Sequence, residues 1–208
     1  MKTDRSAATL VGALLALAVA ATPADAGRAW PWPAARDGVS QIAAPIQVPA
    51  AGTLEVAFAP NESAQVLEIK VIDSARTSLD MLAYNLTSPR IARALLRARH
   101  RGVAERIVVD GKQNIDDDHH GKSKSVLAEL VAAGADVRVI RAYLDHHDKS
   151  TIVDEQTTAT GSMNYSDSSA DQNSENVLVS WNNPALAAVY LKHFLRNYGQ
   201  AQPYKQGH

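Results

Sequence analysis

The chain has 208 residues, a formal net charge of -1 and no cysteine. That length suits one domain with a processed end, and the near-neutral balance gives no global pull toward nucleic acid or an anionic surface. Disulfides are excluded as a source of stability, so an exported protein of this composition depends on its own core or on association with a second copy.

Taken in chain order, residues 1–26 read as a secretory signal. Lys2 and Arg5 give a basic start, residues 7–21 are apolar, and Ala24-Asp25-Ala26 offers the small residues at which a signal peptidase cuts. The apolar run is short for a membrane span. The expected location is therefore periplasmic or secreted, with no stable membrane association after cleavage, the alternative being an uncleaved N-terminal anchor. Residues 27–52 are rich in Pro and Ala and contain Trp30-Pro31-Trp32-Pro33, which reads as a linker or extended arm.

From residue 53 to residue 200 the pattern alternates between strands and helices. Leu54, Val56 and Phe58 predict a strand, and the apolar spacing over 63–74 predicts a helix. A strand is expected over Leu79–Tyr84, a helix over Pro89–Arg101, and a buried strand over Arg106–Asp110. A helix near Lys124–Ala133, ended by Gly134, precedes a strand at Val137–Ile140. Further on, Asn176–Trp181 predicts a strand and Pro184–Tyr198 a closing helix. Such alternation argues for an α/β fold, a mixed central sheet flanked by helices. Residues 201–208 are left as a C-terminal tail.

The chemistry is concentrated between His147 and Glu175. His147-Asp148-Lys149 is followed after four residues by Asp154, then after six by Gly161-Ser162-Met163-Asn164, and later by Ser174-Glu175-Asn176. Thr151, Ile152 and Val153 are β-branched, so this stretch predicts a strand. Alternation then puts His147 and Lys149 on one face, and Asp148 and Asp154 on the other. With a turn at Glu155-Gln156 and a return strand over Thr157–Gly161, a hairpin brings His147, Lys149, Ser162 and Asn164 together. An imidazole, an ammonium, a hydroxyl and an amide suit a phosphodiester: one group attacks phosphorus and the others hold the charged transition state. Asp154 falls on the opposite face and reads as a structural acid.

These residues resemble the signature of the phospholipase D superfamily: His-x-Lys, four residues, Asp, six residues, Gly-Ser, x, Asn. The sequence is similar in particular to that superfamily's small bacterial endonucleases with one motif per chain. That likeness runs over roughly residues 54–198 and includes Ile72-Asp73-Ser74-Ala75, Met81-Leu82-Ala83-Tyr84, Arg101-Gly102-Val103 and Ser174-Glu175-Asn176. The resemblance implies an α/β/α sandwich and a phosphohistidine formed on His147. It also implies a homodimer in which the second histidine, the leaving-group acid, is the partner's copy. Lys149, Ser162 and Asn164 would serve the non-bridging oxygens, and Glu175 would accept the other ring N–H of His147. No cofactor or metal is implied.

Other features have plainer readings. His120-Gly121-Lys122 lacks the acid, serine and asparagine of a second motif and reads as a helix start. The run Asp116-Asp117-Asp118-His119-His120 reads as a solvated acidic turn rather than a metal site. His146, beside His147 but on the opposite face, is a poor second acid. Arg90, Arg93, Arg97, Arg99 and Arg101 crowd one helix, either as a solvated face or as phosphate contacts without sequence preference. The substrate expected is DNA, with RNA as a second candidate, a phospholipid headgroup as the alternative and a non-catalytic binding protein as the third reading.

Overall fold

The computed structural model describes residues 44–61 and 63–205. Residues 1–26, read above as a signal, most of the Pro/Ala-rich stretch with Trp30 and Trp32, and the last three residues lie outside the described residues. The chain from Pro45 onward forms one compact unit.

Eight strands make one mixed sheet: β1 (Thr53–Ala59), β2 (Ser78–Ala83), β3 (Ala104–Asp110), β4 (Asp136–Ile140), β5 (Lys149–Val153), β6 (Thr157–Gly161), β7 (Glu175–Trp181) and β8 (Gln202–Pro203), in the order β1-β7-β6-β5-β2-β3-β4-β8. The helices are α1 (Ser63–Ser74), α2 (Pro89–His100), α3 (Lys122–Ala132), α4 (Asp167–Asp171) and α5 (Pro184–Gln200). Strands β2, β3 and β4 run parallel because helices connect them, whereas β5, β6 and β7 pair antiparallel, β5 and β6 through a tight turn and β6 and β7 through the segment that carries α4. The mixed α/β fold read from the pattern is therefore the fold observed. Three elements were not anticipated: a π-helical turn at Lys112–Asp116, the short helix α4, and β8, which pairs the expected tail with β4.

Alternation on the central strands divides the core in two. Leu79, Met81 and Ala83 of β2 enter the larger core with Leu67, Val71, Ile91, Leu95 and Leu127 from α1, α2 and α3. Leu82 points the other way, with Val108, Ile140 and Ile152, into a smaller core closed by Ala187 and Phe194 of α5. Asp80 shares that side. It holds Arg106 in a two-pronged pair at 2.6 and 2.8 Å, and the guanidinium lies over the Phe194 and Tyr198 rings. Leu54, Val56 and Phe58 on the edge strand β1 remain exposed.

The topology gathers one edge of the sheet. Ala83 at the end of β2 faces Lys149 at the start of β5, and Ser150 pairs with Thr160. Gly161 at the end of β6 faces Val177 near the start of β7. His147, Ser162 and Glu175 all flank this row, at the carboxyl ends of the parallel strands where open α/β sheets place their sites.

Candidate active site

Strand β5 follows the alternation expected of it. Thr151 turns toward α1, where its hydroxyl donates to Glu68 at 2.5 Å, and Asp148 turns toward α5, where it meets His193 at 2.9 Å. Lys149 is only 7% exposed, its Nζ 2.9 Å from the His147 carbonyl and 4.8 Å from the centre of the Tyr84 ring. The His147 imidazole is exposed and packs on the same ring, centroids 4.4 Å apart at 60°. Tyr84 thus seats the imidazole and the ammonium together. Burial lowers the lysine's proton affinity, while Glu175 and Asp148 pull it back up.

The second half of the motif is built by a close approach. A Cβ at position 161 would stand 2.1 Å from the Asn176 carbonyl oxygen, so only glycine lets β6 and β7 meet there. Strand β6 ends at that glycine, as expected, so Ser162 and Asn164 lie beyond it. The amides of Ser162 and Met163 both reach the Asn176 carbonyl, at 3.1 and 3.4 Å. Met163 is buried between them, Ser162 is exposed, and Asn164 is half-buried, its side-chain oxygen enclosed without a partner among the described residues. Ser162 donates to Glu175 at 2.5 Å and accepts from the Asn176 amide at 3.1 Å. Asn164 lies one residue before Tyr165, whose amide donates to the Asn85 carbonyl beside Tyr84.

The structure therefore brings His147 and Lys149 together over Tyr84, and Ser162 and Glu175 together in a hydrogen bond. Glu175 does not accept from His147. Its two oxygens take Ser162 and Asn173 instead, because β7 begins at Glu175 and presents the carboxylate to the β6 end. Within the protomer this corrects the role expected of that acid.

Asp154 stands well apart, for a reason other than parity. It lies beyond β5, in a turn centred on Asp154 and Glu155, both at positive φ, one residue earlier than expected. Its carboxylate accepts from the amides of Arg76, Thr77 and Ser78 and from the Thr77 hydroxyl, which ties the α1–β2 connection to the hairpin.

Several residues that support the site gave no signal in the sequence pattern. Asn114, buried in the π-helical turn, donates to the Tyr84 and Asp110 carbonyls and accepts from the Leu86 amide and the Ser123 hydroxyl. It pins the segment that carries Tyr84. The arginine helix, by contrast, is largely spent on the fold. Arg97 grips Asp73 with both prongs, Arg101 reaches Asp73 and the Ile72 carbonyl, and Arg99 reaches the Val103 carbonyl. Arg93 borders a cleft of about 940 Å³ that it shares with Lys122, His120, Ser168 and Gln172, beside the motif rather than on it. In the acidic run, Asp116 pairs with Arg141, and Asp118 accepts the Lys124 amide at the start of α3. Among the described residues, no group of three or more His, Asp or Glu side chains is arranged to hold a metal.

Beneath Lys149, on the α1 side, Glu68 is buried against Thr151. Burial pushes its carboxyl from 4.5 up to about 7, against the opposing hydrogen bond from Thr151. Between those pH values the folded chain keeps a proton that the unfolded chain releases, so stability falls as pH rises through the window and the loss is complete above it. Glu105, raised by burial to about 8, adds a fall of the same sign. Glu68→Gln is expected to remove its share of the fall. The variant should be about 1–2 kcal/mol more stable than wild type at pH 8 and comparable near pH 4, read from urea unfolding at both values. A wild-type advantage at pH 8 would show that the fold favours the ionised carboxylate and that burial does not raise this carboxyl.

Comparison with known proteins is consistent with this geometry. The family described as "Cardiolipin synthase, PLD-like domain" matches residues 69–198. Mitochondrial cardiolipin hydrolase of Homo sapiens is 31% identical over 144 residues, which cover 69% of this chain and 54% of that protein. Phospholipase D of Rickettsia conorii is 34% identical over 124 residues, covering 60% of this chain and 58% of that protein. The chain thus spans little more than half the length of these curated relatives. Among solved structures, Nuc, a phospholipase D family member from Salmonella typhimurium, is 36% identical with a TM-score of 0.70, covering 74% of this chain and 99% of that one. NucT from Helicobacter pylori shares the fold at 20% identity and a TM-score of 0.64.

Proposed function

The chain belongs to the phospholipase D superfamily, and from that premise we propose that it is an exported phosphodiesterase, most simply a nuclease of low sequence preference acting on DNA, with RNA as a second substrate. The observation that carries this reading is the single His-x-Lys set on one open sheet edge: His147 exposed, Lys149 buried beneath it, and Ser162 with Glu175 across the hairpin. The reading is supported by the match to nearly the whole of the Salmonella protein, and by the polar segment 166–173, which carries α4 just after the motif.

In this scheme His147 attacks phosphorus as a neutral imidazole and forms phosphohistidine. A second imidazole, His147 of a twofold-related copy, protonates the leaving oxygen. One motif per chain makes the protomer incomplete, so the working unit is a homodimer. Lys149 from each copy neutralises the non-bridging oxygens, and Ser162 and Asn164 donate hydrogen bonds to them. Glu175 acts through Ser162. Asp154 takes no part in the chemistry.

The test is cleavage of supercoiled plasmid, single-stranded DNA, RNA and phosphatidylcholine side by side, with EDTA present. Cleavage of nucleic acid in chelator, with no release of headgroup, is the expected result; headgroup release alone overturns the nuclease reading. The lipid reading is favoured by the names of the curated relatives and by one feature near the site, Leu144, which is 85% exposed three residues before His147. Lys149→Ala is expected to lower turnover by roughly 100-fold, the usual scale for losing a group that holds transition-state charge. Single-turnover rates at saturating substrate check it, and a change confined to KM would reassign the lysine to ground-state binding.

A further inference from the structure

His147 is not delivered by a strand. Residues 141–148 run as an irregular segment between β4 and β5. An attacking group on such a segment must be fixed by contacts other than sheet pairing, because an error of about 1 Å in its position is costly. The two residues that flank His147 turn away from the substrate side, toward α5. Oδ2 of Asp148 lies 2.9 Å from His193 Nε2 and 3.5 Å from His146 Nδ1. Tyr143, stacked on the His146 ring, donates from its hydroxyl to Asn197 at 2.9 Å. The His146 amide donates to Asp110, at the end of β3.

His193 and Asn197 are four apart on α5, so both ties spring from one helix face. Arg196 adds a constraint. Its Nη2 lies 2.9 Å from His193 Nδ1, and a guanidinium only donates. Nδ1 then accepts, which leaves the ring proton on Nε2 for the Asp148 carboxylate, and the Asn197 amide nitrogen, 3.1 Å from that same Nε2, donates to the His193 carbonyl instead. The charged and titratable groups around this junction are Asp110, His146, Lys149, Arg196 and the pair itself. His146 is 2% exposed, with Nε2 lacking a partner among the described residues. Burial lowers its proton affinity against the pull of Asp148 and Asp110.

We propose that His193 and Asp148 form a clasp between α5 and this segment, a positioning pair that sets the stance of the His147 imidazole without touching substrate. The proposal rests on the reading of His147 as the attacking group. The clasp lies at the half-exposed rim of the smaller core, outside the packing of Leu82, Val108, Ile152 and Phe194. Opening it therefore leaves the fold's main apolar contacts in place.

The test compares His193→Ala, His193→Gln and Asp148→Ala, singly and as the Ala double variant, with bis(p-nitrophenyl) phosphate as the probe. His193→Ala is expected to lower kcat roughly 10-fold, with KM within about 2-fold and an unchanged unfolding midpoint. His193→Gln, whose amide N–H reaches in the place of Nε2–H, recovers most of the rate. The Ala double variant is no slower than the worse single one. A second readout does not need turnover: the ring signals of His147 in nitrogen-labelled protein, assigned through their loss in His147→Asn, move or broaden in His193→Ala and return in His193→Gln. Unchanged rate and ring signals in His193→Ala overturn the clasp, as does a loss that follows the unfolding midpoint and is not rescued by Gln. If wild type cleaves no phosphodiester, the functional reading fails by itself, and the His147 ring signals still decide for or against the clasp.

Discussion

His147→Asn is expected to lower phosphodiester cleavage by roughly 10⁴-fold or more, with an unfolding midpoint within a degree or two of wild type. The imidazole is exposed and its main ring contact is with Tyr84, so its loss removes little buried surface. Asparagine keeps a polar side chain of similar reach and cannot form a phosphoryl intermediate. Loss of a covalent nucleophile removes a whole route, which is why its cost exceeds that of losing one stabilising contact. The same variant tests the shared site. In mixed dimers with wild type, both rings are needed, so activity should track the fraction of wild-type pairs, about the square of the wild-type share. A linear dependence would mean that each chain works alone, and His146 or His193 would then be examined as the acid. Rapid acid-free quenching of wild type on excess substrate should trap acid-labile phosphate on the chain, and none should appear on His147→Asn. Cleavage by His147→Asn at near wild-type rate would end the phosphohistidine reading.

How much of this was legible in the sequence depends on the range of the interaction. The hairpin was legible because Thr151, Ile152 and Val153 announce a strand, although His147 and Ser162 fall just outside β5 and β6. The helices showed through apolar spacing, which is a local property. Strand order was not legible, since β1 reaches β7 and β5 reaches β2 across long stretches of chain. The same limit hid Tyr84, Asn114 and His193. Each is one ordinary residue on its own element and becomes part of the site only when another segment arrives. The arginine helix misled in the opposite sense: Asp73 on α1 occupies Arg97 and Arg101, and nothing in the spacing of α2 reveals that partner. Glu175 was expected at His147 on the strength of family likeness, but register places it beside Ser162. Gly161 shows the gap best. Its presence is visible in the sequence, while the reason for it, the Asn176 carbonyl, belongs to β7.

Asp154 provides the other large effect, on stability rather than rate. Its carboxylate accepts four hydrogen bonds, three of them from the consecutive amides of Arg76, Thr77 and Ser78. Those amides end α1 and begin β2, so the carboxylate substitutes for the backbone partners that a tight connection cannot supply. Asp154→Asn keeps a residue tolerant of the positive φ observed there, but turns an N–H₂ toward donors. The expected cost is about 3 kcal/mol, a drop of roughly 10 °C in unfolding midpoint for a domain of this size. Asp154→Ala adds the strain of a left-handed backbone and should cost somewhat more. The pH dependence carries the sign. Burial alone would raise this carboxyl, but the hydrogen bonds from Ser78, Thr77 and Arg76 outweigh it and hold the group below its ordinary 3.8. Its contribution is then present above that value and is lost as pH falls through the folded one. Wild type should therefore lose part of its stability below about pH 4, and Asp154→Asn should lack that part of the fall. At a temperature well under both midpoints, kcat should stay within about 2-fold, because the carboxylate lies at the far end of β5 from His147. A collapse of kcat in a variant with an unshifted midpoint would place Asp154 in the chemistry after all, and the separation of the motif's acid from its histidine would have to be abandoned.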